Sequence, residues 1–167
     1  MDRPAVPATG YSQRMPSRRL HTLLPLMAVI GGLTAPPPAL GAQGSPVGDW
    51  HTVSDVDGRP RGIITLRLTN GVLTGIVAGS LVPGEKPGKR CVLCTDDRKD
   101  QPLLGMEILR GLRWDGEAWT GGEVLDPDTG RTYRAIIRLS EDGRSLTLRG
   151  YVGISLLGRS QRWLRAP

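Results

Sequence analysis

The sequence predicts an all-β protein, an eight-stranded antiparallel up-and-down barrel preceded by a cleavable signal segment, and three observations carry that expectation. From Gly48 onward, short runs of alternating apolar and polar residues are separated by Gly, Asp and Asn, the pattern of strands with one buried face. No helical period of any length competes with it. Most of the separators are short enough to be hairpin turns, and consecutive hairpins make an up-and-down sheet. Eight such strands without covering helices bury their apolar face best by curling until the edges meet.

The first 42 residues read differently. Arg14, Arg18 and Arg19 precede an uncharged stretch whose apolar part covers 23–33, followed by Pro36, Pro37 and Pro38 and by small residues up to Ala42. Basic, apolar and small in that order is an export signal, with cleavage expected after Gly41 or Ala42. The apolar part is well below the roughly 20 residues that cross a bilayer, and no later run could anchor the chain. Residues 43–167 are therefore expected to be a barrel domain with no membrane span, periplasmic or secreted. Met15, followed at once by basic residues and the apolar run, is the expected start of translation.

The strands are expected at 50–53, 63–69, 72–77, 103–113, 118–125, 132–139, 145–151 and 160–165. Asn70-Gly71 is the favoured two-residue hairpin turn, Asp115-Gly116 and Asp142-Gly143 resemble it, and residues 126–130 form a turn ending in a left-handed glycine. Tyr133, Ala135, Ile137 and Leu139 should face inward with Arg134 and Arg138 outward. Leu146 and Leu148 should likewise face inward, with Arg149 outward. Residues 80–102 break this rhythm. They hold Pro83, Gly84, Pro87 and Gly88, all three lysines and both cysteines, and a connection of that length is usually functional or disordered.

Charge excludes little. The chain has 22 Lys and Arg against 16 Asp and Glu, but residues 1–42 hold four of the former and one of the latter, leaving the barrel domain at 18 against 15. A balance that mild is a solvated surface and not a nucleic-acid footprint. Cys91 and Cys94, in an oxidising compartment, can close a small structural ring of about 2 kcal/mol. Lys89, Arg90, Arg98 and Lys99 nearby leave a redox pair open, since cations lower a thiol pKa. Zinc would need two more ligands, and His51 is the only histidine beyond the signal. Asp96, Asp97 and Asp100 share the loop and Asp126 and Asp128 share a turn, where basic neighbours and turn chemistry account for them. No nucleophile, phosphate-loop or His-rich motif is present, Ser155 has no histidine beside it, and the chain is not expected to be an enzyme or to hold a cofactor or metal.

Gly48-Asp49-Trp50 opens the barrel, and Trp163 with Arg165 closes it. First and last strands are neighbours in an eight-stranded barrel, so Arg165 is placed to cover Trp50 and plug one end by a cation–π contact. This arrangement resembles the lipocalin and wider calycin pattern. A longer series of motifs, Gly48-x-Trp50, Cys91-x-x-Cys94-Thr95-Asp96, Gly105-Met106, Trp119-x-Gly121-Gly122, Asp126-Pro127-x-x-Gly130-x-x-Tyr133 and Arg149-Gly150-Tyr151 through Gly158 to Trp163, is similar to the exported bacterial family called domain of unknown function 2147. The resemblance spans Gly48 to Arg165. It implies an exported protein with a lipocalin-like barrel and carries no catalytic residue. Leu157, where members often have an aromatic residue, departs from the pattern.

These expectations favour a periplasmic barrel that binds a small apolar or amphiphilic ligand, with Lys86, Lys89, Arg90, Asp96 and Asp97 of the long loop as candidate ligand or partner contacts. The alternatives are an envelope interaction protein using Arg67, Arg134, Arg138 and Arg149, and a thiol-redox protein using Cys91 and Cys94.

Overall fold

The computed structural model describes residues 44–85 and 88–167, so the expected signal segment and Lys86 lie outside the described residues. Eight strands follow one another: β1 (Gly48–Val53), β2 (Pro60–Thr69), β3 (Val72–Ser80), β4 (Glu107–Trp114), β5 (Trp119–Asp126), β6 (Arg131–Leu139), β7 (Ser145–Tyr151) and β8 (Arg159–Arg165). Each pairs antiparallel with the next, and β8 returns to β1 to close the barrel. Closure satisfies the edge backbone groups that an open sheet would expose. The tight turns have the backbone their residues favour. Asn70 and Gly71 both take left-handed φ, 51° and 74°, which matches the twist of the strands they join.

One strand differs from expectation. Residues 103–106, read as the start of a strand, instead form a turn in which Met106 N–H donates to Leu103 C=O and Gly105 N–H donates to Val77 C=O. Gly105 has φ 85°, a conformation that interrupts a strand, so β4 starts at Glu107 and the β3–β4 connection lengthens to 81–106.

Alternation sorts the side chains into an interior and an outer face. Trp50 and Ile64, Leu66 and Gly75, Ile137 and Leu148, and Leu146 and Trp163 are cross-strand partners. Their large members are buried and belong, with Leu73, Leu109 and Leu112, to one apolar core. Arg134 and Arg138 face solvent and Ala135 and Ile137 are buried, as the pattern predicts, while Tyr133 is half-buried. Arg149 points outward, as expected, and is half-buried there. Its guanidinium bonds the carbonyl oxygens of Ser155 (2.6 Å) and Leu156 (3.1 Å), because the β7–β8 connection folds back over it through a single 3-10 turn, Ser155–Leu157.

Leu125 violates the same alternation. Its partner on β6 is Thr132, on the side of Arg134 and Arg138, yet it is only 2% exposed. The 81–106 connection covers it. This strap lies across the outer wall of β4, β5 and β6 and adds Cys91, Cys94 and Met106 to the apolar cluster that includes Leu125 and Ile108 of β4.

Inside the barrel, packing is close where β2, β3 and β4 meet. A Cβ at Gly75 would stand 2.8 Å from Leu109 Cδ1 and 2.9 Å from Leu66 Cδ2. Gly75→Ala is expected to lower stability by about 1–3 kcal/mol through overpacking, measured by urea unfolding; an unchanged midpoint would show that the interior has room at this level.

Candidate functional site

The two ends of the barrel are built differently, and the difference begins with the chain termini. At the end where the chain enters β1 and leaves β8, residues 45–47 run beneath the barrel. Trp50, 0% exposed, donates its indole N–H to Pro46 C=O at 2.8 Å. Arg165 lies with its guanidinium carbon 4.3 Å from the centre of the Trp50 ring. The same guanidinium donates to the carbonyls of Gly143 (2.8 Å), Val47 (3.0 Å) and Ser45 (2.7 Å), tying together the β6–β7 turn and the entering segment. Its charge has no carboxylate among the described residues; the ring face and three carbonyl dipoles take that place.

At the opposite end the interior is looser. Val77, Val124, Tyr133, Gln161 and Thr52 share faces with buried core residues but are themselves half-buried. Gly150 lies beside them, and a Cβ there would be in ordinary contact, 3.5 Å, with Tyr133 Cβ and Val124 Cγ1. Gln161 provides the polar atom of this region, accepting the Trp163 indole N–H at 2.8 Å. Part of the rim of this end is apolar. Val56 in the β1–β2 connection and Val152, Ile154, Leu156 and Leu157 in the β7–β8 connection are largely exposed.

The strap carries most of the candidates read from the sequence, and the structure engages them in holding it down. The sulfurs of Cys91 and Cys94 are at bonding distance and buried, with Cys91 Sγ packed 3.6 Å from Pro127 C=O. Beside them the backbone of Leu93 presses so closely on Gly130 that a Cβ there would lie 2.0 Å from Leu93 O. Arg98, only 3% exposed, is the central pin. It pairs with Asp96 and also donates to Glu107 C=O (3.3 Å), Glu123 (3.4 Å) and Thr132 (3.2 Å). Asp97 holds Arg110 by two hydrogen bonds of 2.9 and 2.8 Å, Lys89 reaches Asp128 at 2.9 Å, and Arg90 donates to Asp100 C=O at 2.7 Å. The cations near the cysteines are thus committed elsewhere, Lys99 included, which donates to Val92 C=O.

Other candidates are not brought together. His51 lies on β1, four strands around the barrel from the β5–β6 turn that the cysteines cover. Arg67 on β2 and Arg134 and Arg138 on β6 are likewise on opposite sides, and Arg138 is turned toward Glu117 at 3.4 Å. They do not form one basic face. Two shallow depressions open on the outer wall. One, about 300 Å³, lies between Asp97, Arg98, Met106 and Arg110; the other, about 370 Å³, lies over Gly111 and Gly121 between Arg110 and Arg134. Sequence reasoning missed the pinning role of Arg98 and the exposed apolar rim. The rim had a signal, the uncharged run 150–158 with four aliphatic side chains outside any strand period.

Residues 48–165 match the family described as uncharacterized protein conserved in bacteria, domain of unknown function 2147. The chain belongs to that family. No curated protein matches the chain. Among solved structures it is similar to "Protein HP1028 from the human pathogen Helicobacter pylori belongs to the lipocalin family", at 18% identity, covering 74% of this chain and 84% of that one with a TM-score of 0.64. At that identity the likeness is one of fold, and it makes this family member's barrel lipocalin-like.

Two predictions follow from the pinned elements. Trp50→Ala is expected to cost about 3–5 kcal/mol and Arg165→Ala roughly 1–3 kcal/mol, with a coupling of about 0.5 kcal/mol or more in the double-mutant cycle; additive effects in denaturant unfolding would mean the plug does not couple the first and last strands. The strap should respond to acid. Side-chain and backbone hydrogen bonds from Arg98 hold the Asp96 carboxyl down to about 2, and Arg110 lowers that of Asp97. A carboxyl whose folded pKa is depressed contributes stability above its unfolded value, and that contribution disappears as pH falls through the folded one. Protection of the Leu125 and Thr132 amides in hydrogen exchange should therefore decline as pH drops from 3.8 toward about 2, and Asp96→Asn should remove most of that dependence; a pH-independent opening free energy in the unaltered chain would contradict it.

Proposed function

We propose that the barrel binds a small apolar or amphiphilic molecule through its open end. The observation that carries this is the contrast between the two ends. Core side chains near the plug, among them Trp50, Leu66, Leu146 and Trp163, are fully buried. Inward-facing Val77, Val124 and Tyr133 at the other end keep exposed surface that an apolar chain would cover. An eight-stranded barrel is wide enough for side chains to fill it or for one small ligand, and here the filled part is the plugged half. Gln161 supplies a polar contact for a headgroup or a carboxyl, and the exposed aliphatic side chains of the β7–β8 connection border the entrance. The lipocalin-like fold supports the same reading. The disulfide between Cys91 and Cys94 supports placing the protein in an oxidising compartment such as the periplasm, in keeping with the export signal read from residues 1–42.

Native mass spectrometry of the protein isolated from a bacterial envelope is expected to show a retained small molecule, released on unfolding. Tyr133→Trp, which enlarges the inward aromatic, should lower its occupancy without loss of fold, whereas Arg134→Gln on the outer face should leave it unchanged. Equal occupancy in the Tyr133 variant, or no retained mass in any preparation, would sink the proposal.

A further inference from the structure

Gln161 stands on the interior face of β8, across from Leu148 on β7 and two residues from Trp163, both of them buried. An amide can turn either its oxygen or its nitrogen toward Trp163. The indole decides which, because its N–H only donates. Gln161 Oε1 accepts that N–H at 2.8 Å, and Nε2 with its two hydrogens is left to face something else. No acceptor among the described residues meets Nε2. Every fully buried side-chain nitrogen and oxygen among them has a partner, so an unpartnered Nε2 on this half-buried residue keeps access to the opening.

Thr52 adds a second donor of the same kind. It is the partner of Trp163 across the β1–β8 seam, which sets its side chain on the interior face near Gln161. Its Oγ1 accepts the Gly62 N–H at 3.0 Å, and its hydroxyl hydrogen has no acceptor among the described residues. The pair therefore offers hydrogens to the interior, while the Gln161 oxygen is already spent. Charge contributes little here. Both arginines on this face of β8 are committed, Arg159 to Asp55 at 2.8 Å and Arg165 to the plug. A carboxylate brought to these donors would lose its water without gaining a cation, which is costly. An uncharged carbonyl oxygen satisfies the same donors without that penalty.

Beyond these donors the mouth becomes aliphatic on the β7–β8 side. Val152, Ile154, Leu156 and Leu157 follow the end of β7 and are between 61% and 83% exposed. An amphiphile bound with its chain inside and its polar end at the mouth would bring that polar end against these side chains and leave Gln161 Nε2 unmet. The reverse orientation meets both demands. An acceptor then sits on the two donors, and the chain covers apolar surface that water now touches.

We propose that the barrel takes an aliphatic ester, ketone or amide carbonyl-first, the carbonyl oxygen accepting from Gln161 Nε2 and the Thr52 hydroxyl and the chain lying against the 152–157 loop. This rests on the binding proposed above and names the chemical class of the bound molecule. Gln161 is its specificity-determining residue. A ligand whose polar end only donates would leave both groups unpaired on binding, and a site built of donors rejects such a ligand for that reason.

The test is NMR of the full nitrogen-15-labelled chain, freed of any retained molecule with an apolar resin and titrated with methyl octanoate, octanoate and octylammonium. The ester should bind about tenfold or more tightly than octylammonium, with octanoate between them, and should move the Gln161 side-chain N–H signals downfield. Gln161→Glu keeps an acceptor for the Trp163 indole, whose N–H signal reports on the fold, but replaces the free donors by a carboxylate. In that variant the ester should weaken about tenfold or more and octylammonium should become the tightest of the three. Equal ester affinity in the two proteins overturns the proposal, as does octanoate binding more tightly than the ester. Should the variant not fold, the unaltered chain still decides, since Gln161 N–H signals unmoved at ester saturation overturn it as well. Binding of the probes without this order removes only the carbonyl-first reading. Binding of none of them removes both.

Discussion

The barrel depends on how its first and last strands meet. Only three residue pairs register β1 against β8, Trp50 with Arg165, His51 with Leu164 and Thr52 with Trp163, fewer than any other hairpin of the sheet supplies. β1 itself has six residues. A junction that short would fray if backbone bonds were all that held it, and the side chains of the same pairs compensate. Trp50 and Trp163 are buried large aromatics on the two sides of the junction, and Arg165 binds the ring, the entering segment and the β6–β7 turn at once. Without that seam the sheet has two open edges and its interior is wet.

The strap is a second layer built on a different principle. The barrel interior is apolar packing, whereas the strap is attached by charge around a small apolar patch. Leu125 and Ile108 supply the patch, the disulfide shapes the loop that covers it, and Arg98 is buried only because Asp96, Glu107, Glu123 and Thr132 surround it with acceptors. Burying a guanidinium without such partners would cost several kcal/mol. The charged residues that make a long loop look like a binding surface are here consumed in fixing it to the wall.

With one end plugged and one wall covered, the open end keeps a cluster of exposed apolar side chains. Half-buried side chains line it from within and exposed ones crown it from above. Arg149 links the two, since the residue that supports the crown belongs to a strand whose alternate positions, Leu148 and Gly150, line the interior.

How much of this the sequence determined follows from range. Strand alternation and turn chemistry are local, so seven of the eight strands and the inward set on β6 and β7 were legible along the chain, as was the Gly48-x-Trp50 motif with its distant arginine once closure was assumed. The exception at 103–106 failed because Gly105 takes its left-handed conformation to let Leu103 and Met106 turn onto β3, a contact between segments almost thirty residues apart. Leu125 and Arg98 failed for a related reason. Alternation makes Leu125 an outward residue and composition makes Arg98 a solvated cation, and both become buried only when a loop from elsewhere in the chain is laid over that wall. Periodicity decides which way a side chain points. What lies there to meet it, whether solvent, a strap or a neighbouring strand, is a long-range matter that the tertiary structure alone decides.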